Sequence, residues 1–171
     1  MKCSTIVIAG LFVASAMGAS AQEINDAQIA SIVVTANQVD IDAGQLAKAR
    51  STDAQVKKFA ELMITDHTGV NKSATALVTK LKVTPADNAT SHSLKSDGDA
   101  NLKTLKGLKG AAFDKAYIDH EVGYHQAVLD AVDKTLIPGA KNEELKALLV
   151  KVRPAFVAHL EHAKHLQSSL K

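Results

Sequence analysis

Apolar positions recur every three or four residues along four long stretches of the chain, which is the spacing that places side chains on one face of an α-helix. The longest stripe consists of Val56, Phe59, Met63, Val70, Ala74, Leu77 and Leu81. Similar stripes run over residues 25–50, 111–136 and 142–170. No segment shows a competing strand pattern, so the sequence predicts an all-α protein with four long helices.

Capping residues and helix breakers predict where these helices begin and end. Thr52 and Gln55 have the spacing of a capping box at the start of the second helix, and Pro85 ends that helix after about Lys82. Asn142 is the predicted cap of the last helix. Because the break at residues 51–55 is short, the first two helices are expected to form an antiparallel hairpin.

The segment over residues 86–110 connects the two halves of the chain and is rich in Ser, Asp, Asn, Lys and Gly. We expect one short, poorly buried helix there, from about Ser91 to Lys106, and a linker or a flexible flap also fits the composition. Two antiparallel hairpins joined by one long crossover are typical of ferritin-like four-helix bundles. The predicted fold is therefore a ferritin-like bundle with a short extra helix in its crossover.

Composition indicates an ordinary soluble domain, because the 171 residues are 46% hydrophobic and 22% charged, with a net charge of +2. This balance gives no reason to expect nucleic acid as a partner. A locally basic stretch over residues 95–115 contains three aspartates and only one aromatic residue near its end, Phe113, so it is interpreted as a solvated helix face.

The first 21 residues have the features of a cleaved signal peptide. Lys2 provides a positive start, residues 6–17 are apolar, and Ala19-Ser20-Ala21 is a small-residue cleavage site. The predicted organisation is a signal peptide over residues 1–21 and one bundle domain over residues 22–171. No later segment is apolar enough to cross a bilayer. The mature chain is expected to be a soluble periplasmic protein without cysteine, since the single Cys3 lies in the signal.

Five titratable residues lie on or at the edge of the apolar stripes, near the middle of their helices: Asp40, His67, Glu121, His125 and His159. Three imidazoles with one or two carboxylates suit zinc, copper, nickel or iron, and do not suit magnesium or calcium. A hydrogen-bonded polar layer without metal is the alternative interpretation. His162 and His165 are interpreted as exposed. A hydrolytic triad is poorly supported, because Asp66 is adjacent to His67 and does not face it.

The chain resembles a family of exported bacterial proteins of unassigned function, often labelled predicted outer membrane proteins. The resemblance rests on residues 40–47, on residues 56–60 leading to Met63 and Asp66-His67, on Phe113-Asp114 with Tyr117-Ile118 and then His125, and on Pro154 with His159-Leu160. The family's pattern has Glu at position 40 and Asp at position 124. The resemblance implies a ferritin-like fold and export, singles out Asp40, His67, His125 and His159, and supplies no activity.

The leading hypothesis is a non-enzymatic helical bundle that binds a transition metal or an envelope protein partner. Two alternatives remain: a metal-dependent enzyme with an open coordination position, and a structural protein with a buried His and carboxylate layer. An enzyme requires a solvent-connected pocket beside the histidines. A ferroxidase is rejected because the sequence contains no Glu-x-x-His pair and too few carboxylates for two irons.

Overall fold

The computed structural model describes residues 24–170, and the regular structure in this range is entirely helical. The helices are α1 (Asp26–Arg50), α2 (Ala54–Leu81), α3 (Ala89–Lys106), α4 (Gly110–Ala131), a π-helical turn (Val132–Leu136), α5 (Ile137–Gly139) and α6 (Glu143–Ser169). The all-α prediction is confirmed. The predicted signal peptide lies outside the described residues. Within residues 24–170, no helix combines the length and the apolar character that a membrane crossing requires.

The four long helices pack as two connected pairs. α1 packs against α2, α4 packs against α6, and contacts of α1 with α4 and of α2 with α6 join the pairs. The connections within each pair are short, at residues 51–53 and 140–142, which makes each pair an antiparallel hairpin. This arrangement brings one face of every long helix to a shared core.

The start of α2 corrects one prediction. Asp53, and not Thr52, is the N-cap, because its Oδ1 accepts hydrogen bonds from the backbone N–H groups of Gln55 and Val56 at 2.7 and 3.1 Å. The Thr52 hydroxyl instead lies 3.4 Å from Asp114. A carboxylate that reaches two free N–H groups of the first turn is the stronger cap of the two.

The crossover is an ordered helix, as expected, and it begins two residues earlier than predicted because Asn88 forms a capping box with Ser91. α3 packs mainly against α1 and buries only Ser91, Gly98 and Leu105. At Gly98 the two helices approach closely, since a Cβ atom there would lie 2.8 Å from Cγ2 of Val39. The position of α3 on α1 therefore depends on the absence of a side chain at residue 98.

The predicted fourth helix changes character near its end. The sequence predicts an α-helix to Leu136, whereas the last five residues form a wider π-helical turn in which the N–H of Ile137 bonds to the carbonyl of Val132. Pro138 follows directly and has no N–H to continue the ladder, and its ring crowds the carbonyl four residues before it. The wider turn relieves that crowding.

A polar layer divides the apolar core into two clusters. One cluster surrounds Phe59, Met63 and Tyr117, and the other surrounds Val70 and Phe156. His67 lies on α2 between Met63 and Val70, at the boundary of the two clusters. The same boundary on the other long helices is occupied by Asp40, Glu121, His125 and His159.

Candidate metal centre

All four long helices contribute to this polar layer, and every one of the five predicted site residues lies in it. Asp40 comes from α1, His67 from α2, Glu121 and His125 from α4, and His159 from α6, and each is at most 2% exposed. One donor atom from each of the three histidines lies within 4.8 Å of the others, and the same holds for Asp40, Glu121 and His125. The sequence prediction therefore named residues that the fold brings together.

His67 is held in a defined tautomer by Asn37, which lies one turn before Asp40 on α1. The Nδ1 atom of His67 is 2.7 Å from Oδ1 of Asn37. The Asn37 amide nitrogen donates to the carbonyl of Val33 at 2.7 Å, so Oδ1 is the group that faces the imidazole. Because that oxygen only accepts, Nδ1 of His67 carries the hydrogen and Nε2 carries the lone pair.

The other two imidazoles are oriented by groups that accept hydrogen bonds in the same way. Nδ1 of His125 lies 3.1 Å from the backbone carbonyl of Glu121. Nε2 of His159 lies 2.8 Å from Oδ2 of Asp66. A carbonyl and a carboxylate accept hydrogens, so these nitrogens donate, and the opposite nitrogen of an imidazole in its metal-binding form carries a lone pair.

The three lone-pair nitrogens are buried and have no hydrogen-bond partner among the described residues. They are Nε2 of His67, Nε2 of His125 and Nδ1 of His159. The ring centroids lie 5.2–5.6 Å apart. An imidazole with one nitrogen fixed by an acceptor and the other free is the usual state of a metal ligand. Lone pairs gathered in an apolar interior are unfavourable unless a cation or a donor lies between them.

The carboxylate of Asp40 is close to the same point. Its Oδ2 lies 3.3 Å from Nε2 of His67 and 3.9 Å from Nε2 of His125, without hydrogen-bonding alignment. Ligand atoms about 2.0–2.1 Å from a tetrahedral ion are separated by about 3.4 Å. The pair of Asp40 and His67 therefore already has the spacing of two ligands. The donor nitrogens of the three histidines lie within 4.8 Å of one another and need to approach by up to about 1.4 Å to complete a site.

Burial sets the charge state of the layer. It lowers the pKa of His67 to about 3 and that of His125 to about 4, so both imidazoles are neutral at pH 7. Burial also raises the pKa of Asp40, and it raises the pKa of Glu121 well above its usual range, with the negative charge of Asp40 adding to the effect. Neutral imidazoles are the form that binds metal ions.

Three residues that support the ligands, Asp66, Asn37 and Phe156, were not predicted as part of the site from the sequence. Asp66 is not expected to pair with His67, because adjacent residues of a helix do not face each other. Its carboxylate instead accepts a hydrogen bond from His159 on α6. Asn37 lies three residues before Asp40 on the same face of α1, which is a signal that the sequence contains. Phe156 stacks on His67 with ring centroids 5.4 Å apart and planes 10° from parallel.

The two outer histidines of α6 differ from each other. His165 is exposed, as expected, whereas His162 is half-buried. The ring of His162 lies edge-on to Phe59, with centroids 5.1 Å apart. The expectation of an exposed His162 is therefore wrong, because the core-facing side of α6 is wider than the sequence stripe suggested.

A pocket of about 230 Å³, partly open to solvent, leads to one side of the polar layer. Asn37, Asp40 and His67 line its inner end, and most of its remaining lining residues are apolar. His125, His159 and Glu121 do not line it. The layer is thus accessible from the side of α1 and is enclosed on the other sides by the bundle.

Comparison with known protein families gives one matching family model. A family model described as "Domain of unknown function (DUF4142)" matches residues 12–166, which include every residue of the polar layer. The chain belongs to the DUF4142 family. No curated protein and no solved structure matches it. Membership of DUF4142 agrees with the resemblance noted in the sequence and brings no activity with it, so the function must be argued from the site.

Proposed function

We propose that this DUF4142 protein is an exported helical bundle that binds one transition metal ion through His67, His125 and His159, with Asp40 as a fourth ligand. The observation that carries the proposal is the state of the three imidazoles. Each has one nitrogen fixed by an acceptor and the other buried without a partner in the part of the chain that the structure describes, and one donor atom of each lies within 4.8 Å of the others. This is the arrangement that a preformed metal site requires.

The donor atoms narrow the choice of ion. Three imidazole nitrogens and one carboxylate oxygen suit zinc, copper(II), nickel or iron(II), and magnesium and calcium prefer all-oxygen sites. Glu121 is 3.4 Å from Nδ1 of His125 and provides a further carboxyl group beside the site. A bound cation favours the ionised form of a nearby carboxyl group, so metal uptake is expected to release a proton from the carboxyl group of Glu121, whose pKa is raised by burial.

The proposal includes a ferritin-like arrangement of the bundle. Its support is the pairing of α1 with α2 and of α4 with α6, with the long crossover that carries α3 between the pairs. A di-iron centre is not proposed, because the polar layer within residues 24–170 contains only Asp40 and Glu121 as carboxylates. The four or more carboxylates of di-iron bundles are missing from it.

Export to the periplasm, with an envelope protein as a further partner, is also part of the proposal and rests on the sequence of residues 1–21. The measurement is mass spectrometry of the protein recovered from periplasmic and membrane fractions. We expect a periplasmic chain that begins at Gln22. A chain that keeps Met1 and fractionates with membranes would show that the segment is an anchor.

A metal-dependent enzyme is the second candidate, and the pocket is the observation that favours it. The pocket connects solvent with Asp40 and His67, which is where an open coordination position would receive a substrate. A purely structural polar layer has less support, because one nitrogen of each of the three histidines lacks a hydrogen-bond partner among residues 24–170, whereas a protonated Glu121 can donate to Asp40. Layers that serve only structure are normally satisfied internally.

Elemental analysis of untagged protein tests the metal site. We expect about one ion per chain in the wild type and in His165→Ala, and almost none in His159→Ala, since only His159 lies in the polar layer. His165 is on the same helix and is exposed, which makes it a matched control. Equal metal content in both variants would place the ions on the surface, and a metal-free wild type that takes up none on titration would refute the proposal.

A further inference from the structure

The pocket beside the metal centre combines apolar walls with one polar end. Its walls come from α1, α3, α4, the π-helical turn and α6, and the polar groups at its inner end are Asn37, Asp40 and His67. Thr90 and Asp97 are exposed and lie on α3, which forms part of the outer wall. A pocket with apolar walls and a polar inner end suits a ligand that has an apolar body and one polar head.

The π-helical turn contributes directly to this pocket. Val132 and Leu136 are the first and last residues of this turn, and both line the pocket wall. Their side chains are almost fully buried. π-helical turns inside α-helices occur frequently at functional sites. Two apolar side chains of this turn thus line the pocket, which is an observation independent of the histidines.

We propose that this pocket binds a short-chain aliphatic carboxylate, with its carboxylate group as a fifth ligand of the metal ion beside Asp40 and the three histidines, and its hydrocarbon chain against the apolar walls. The inference deepens the proposed metal site and rests on it. A cavity of about 150 Å³ holds benzene, so by proportion this pocket accommodates about nine non-hydrogen atoms. Chains of about six to eight carbons have this size.

Charge at the inner end selects the carboxylate head over other polar groups. Asp40 is the only acidic residue that lines that end, and Glu121 does not line the pocket, so a divalent ion held there offers a carboxylate head a positive charge that only one carboxylate offsets on the pocket side. The Asn37 amide nitrogen donates one hydrogen to the carbonyl of Val33 and carries a second N–H, and Asn37 is one of the residues that line the pocket. Without the ion, Asp40 would repel a carboxylate, so binding is expected to depend on the metal.

Two valines of α6 provide a matched pair of variants. Val152 and Val157 are both half-buried and both pack against the same apolar cluster, but only Val152 lines the pocket. Val152→Phe fills the pocket without changing a metal ligand, and Val157→Phe adds the same ring elsewhere. Leu94→Phe on α3, which also lines the pocket, is a second filling variant outside the four-helix core.

The experiment is calorimetric titration of octanoate into zinc-loaded and metal-free protein, with the zinc content of each sample measured separately. We expect one octanoate per zinc-loaded chain, at least tenfold weaker binding to the metal-free protein, and at least tenfold weaker binding to Val152→Phe and Leu94→Phe with their zinc content unchanged. Val157→Phe should bind octanoate as the wild type does. Octanol, which lacks the charge, should bind no better with zinc than without it.

Each contrary result has a distinct meaning. Zinc-loaded protein that does not bind octanoate overturns this inference and leaves the metal site standing. Equal binding to metal-free protein, or to both filling variants, also overturns it, because the head or the chain would then lie elsewhere. Protein that takes up no zinc or other transition metal overturns the proposed function, and with it this inference.

Discussion

Replacing His125 with leucine tests the central reasoning, because a preformed metal site and a structural layer predict opposite effects on the metal-free protein. The His125 side chain is fully buried, its Nε2 has no partner, and its pKa of about 4 makes it neutral at pH 7. Its Nδ1 donates to the Glu121 carbonyl, which already accepts the helical hydrogen bond from the next turn. Leucine therefore removes an unsatisfied polar atom and leaves no new one behind.

The expected magnitude follows from the cost of an unsatisfied buried group, which is about 1–3 kcal/mol. In the presence of a chelator, His125→Leu should raise the free energy of unfolding by about 2 kcal/mol, or the melting temperature by about 4–8 °C for a chain of this size. With free metal at a hundredfold its dissociation constant, the wild type should gain about 2.7 kcal/mol and the variant should gain nothing. His125→Leu should thus be more stable than the wild type in the absence of metal, and no more stable than the wild type when metal is bound.

Thermal melts with a chelator and with added zinc provide the measurement, and Gln126→Leu is the control. Gln126 is the next residue on α4, is exposed and lies outside the layer, so its variant should keep the full metal effect. A clear drop in the melting temperature of metal-free His125→Leu would refute the reasoning. It would mean that His125 stabilises the bundle through hydrogen bonds of its own.

Three further predictions concern the surroundings of the site. Because the folded-state pKa values of His67 and His125 lie below the unfolded value of about 6.5, the unfolded chain binds more protons between about pH 6.5 and 4, and stability conferred by the neutral rings is lost as the pH falls. In chemical unfolding of the metal-free protein, the free energy of unfolding should therefore fall more steeply with decreasing pH in the wild type than in His125→Leu, by up to about 1.4 kcal/mol per pH unit. Equal slopes would contradict the lowered pKa of His125. Asp66→Asn should weaken metal binding about 10–100-fold, because Asp66 fixes the His159 ring, while Asp130→Asn at an exposed ion pair should leave the affinity unchanged. Gly98→Ala should speed hydrogen exchange in α3 without altering metal content, since the added methyl group meets Val39, and unchanged exchange would show that the contact between α3 and α1 is loose.

The positions of the long helices and most of their core-facing residues could be predicted from the order of residues alone. A helix repeats every 3.6 residues, so the face on which Met63, His67 and Val70 lie is a local property that the order of residues records directly. The spacing of Glu121 and His125 records their proximity in the same way. Which of two adjacent residues caps a helix is harder to predict from the sequence. At the start of α2, Asp53 is the N-cap where Thr52 was predicted.

How the site residues meet could not be predicted from the sequence, because it depends on the packing of the helices against one another. The pairing of Asp66 with His159 and of Asn37 with His67 depends on the rotation of each helix about its axis and on the register between helices. The same is true of which imidazole nitrogen is left free, and of the pocket that reaches Asp40 and His67. These quantities are set by the sum of many packing contacts between distant segments, so no local pattern in the sequence contains them.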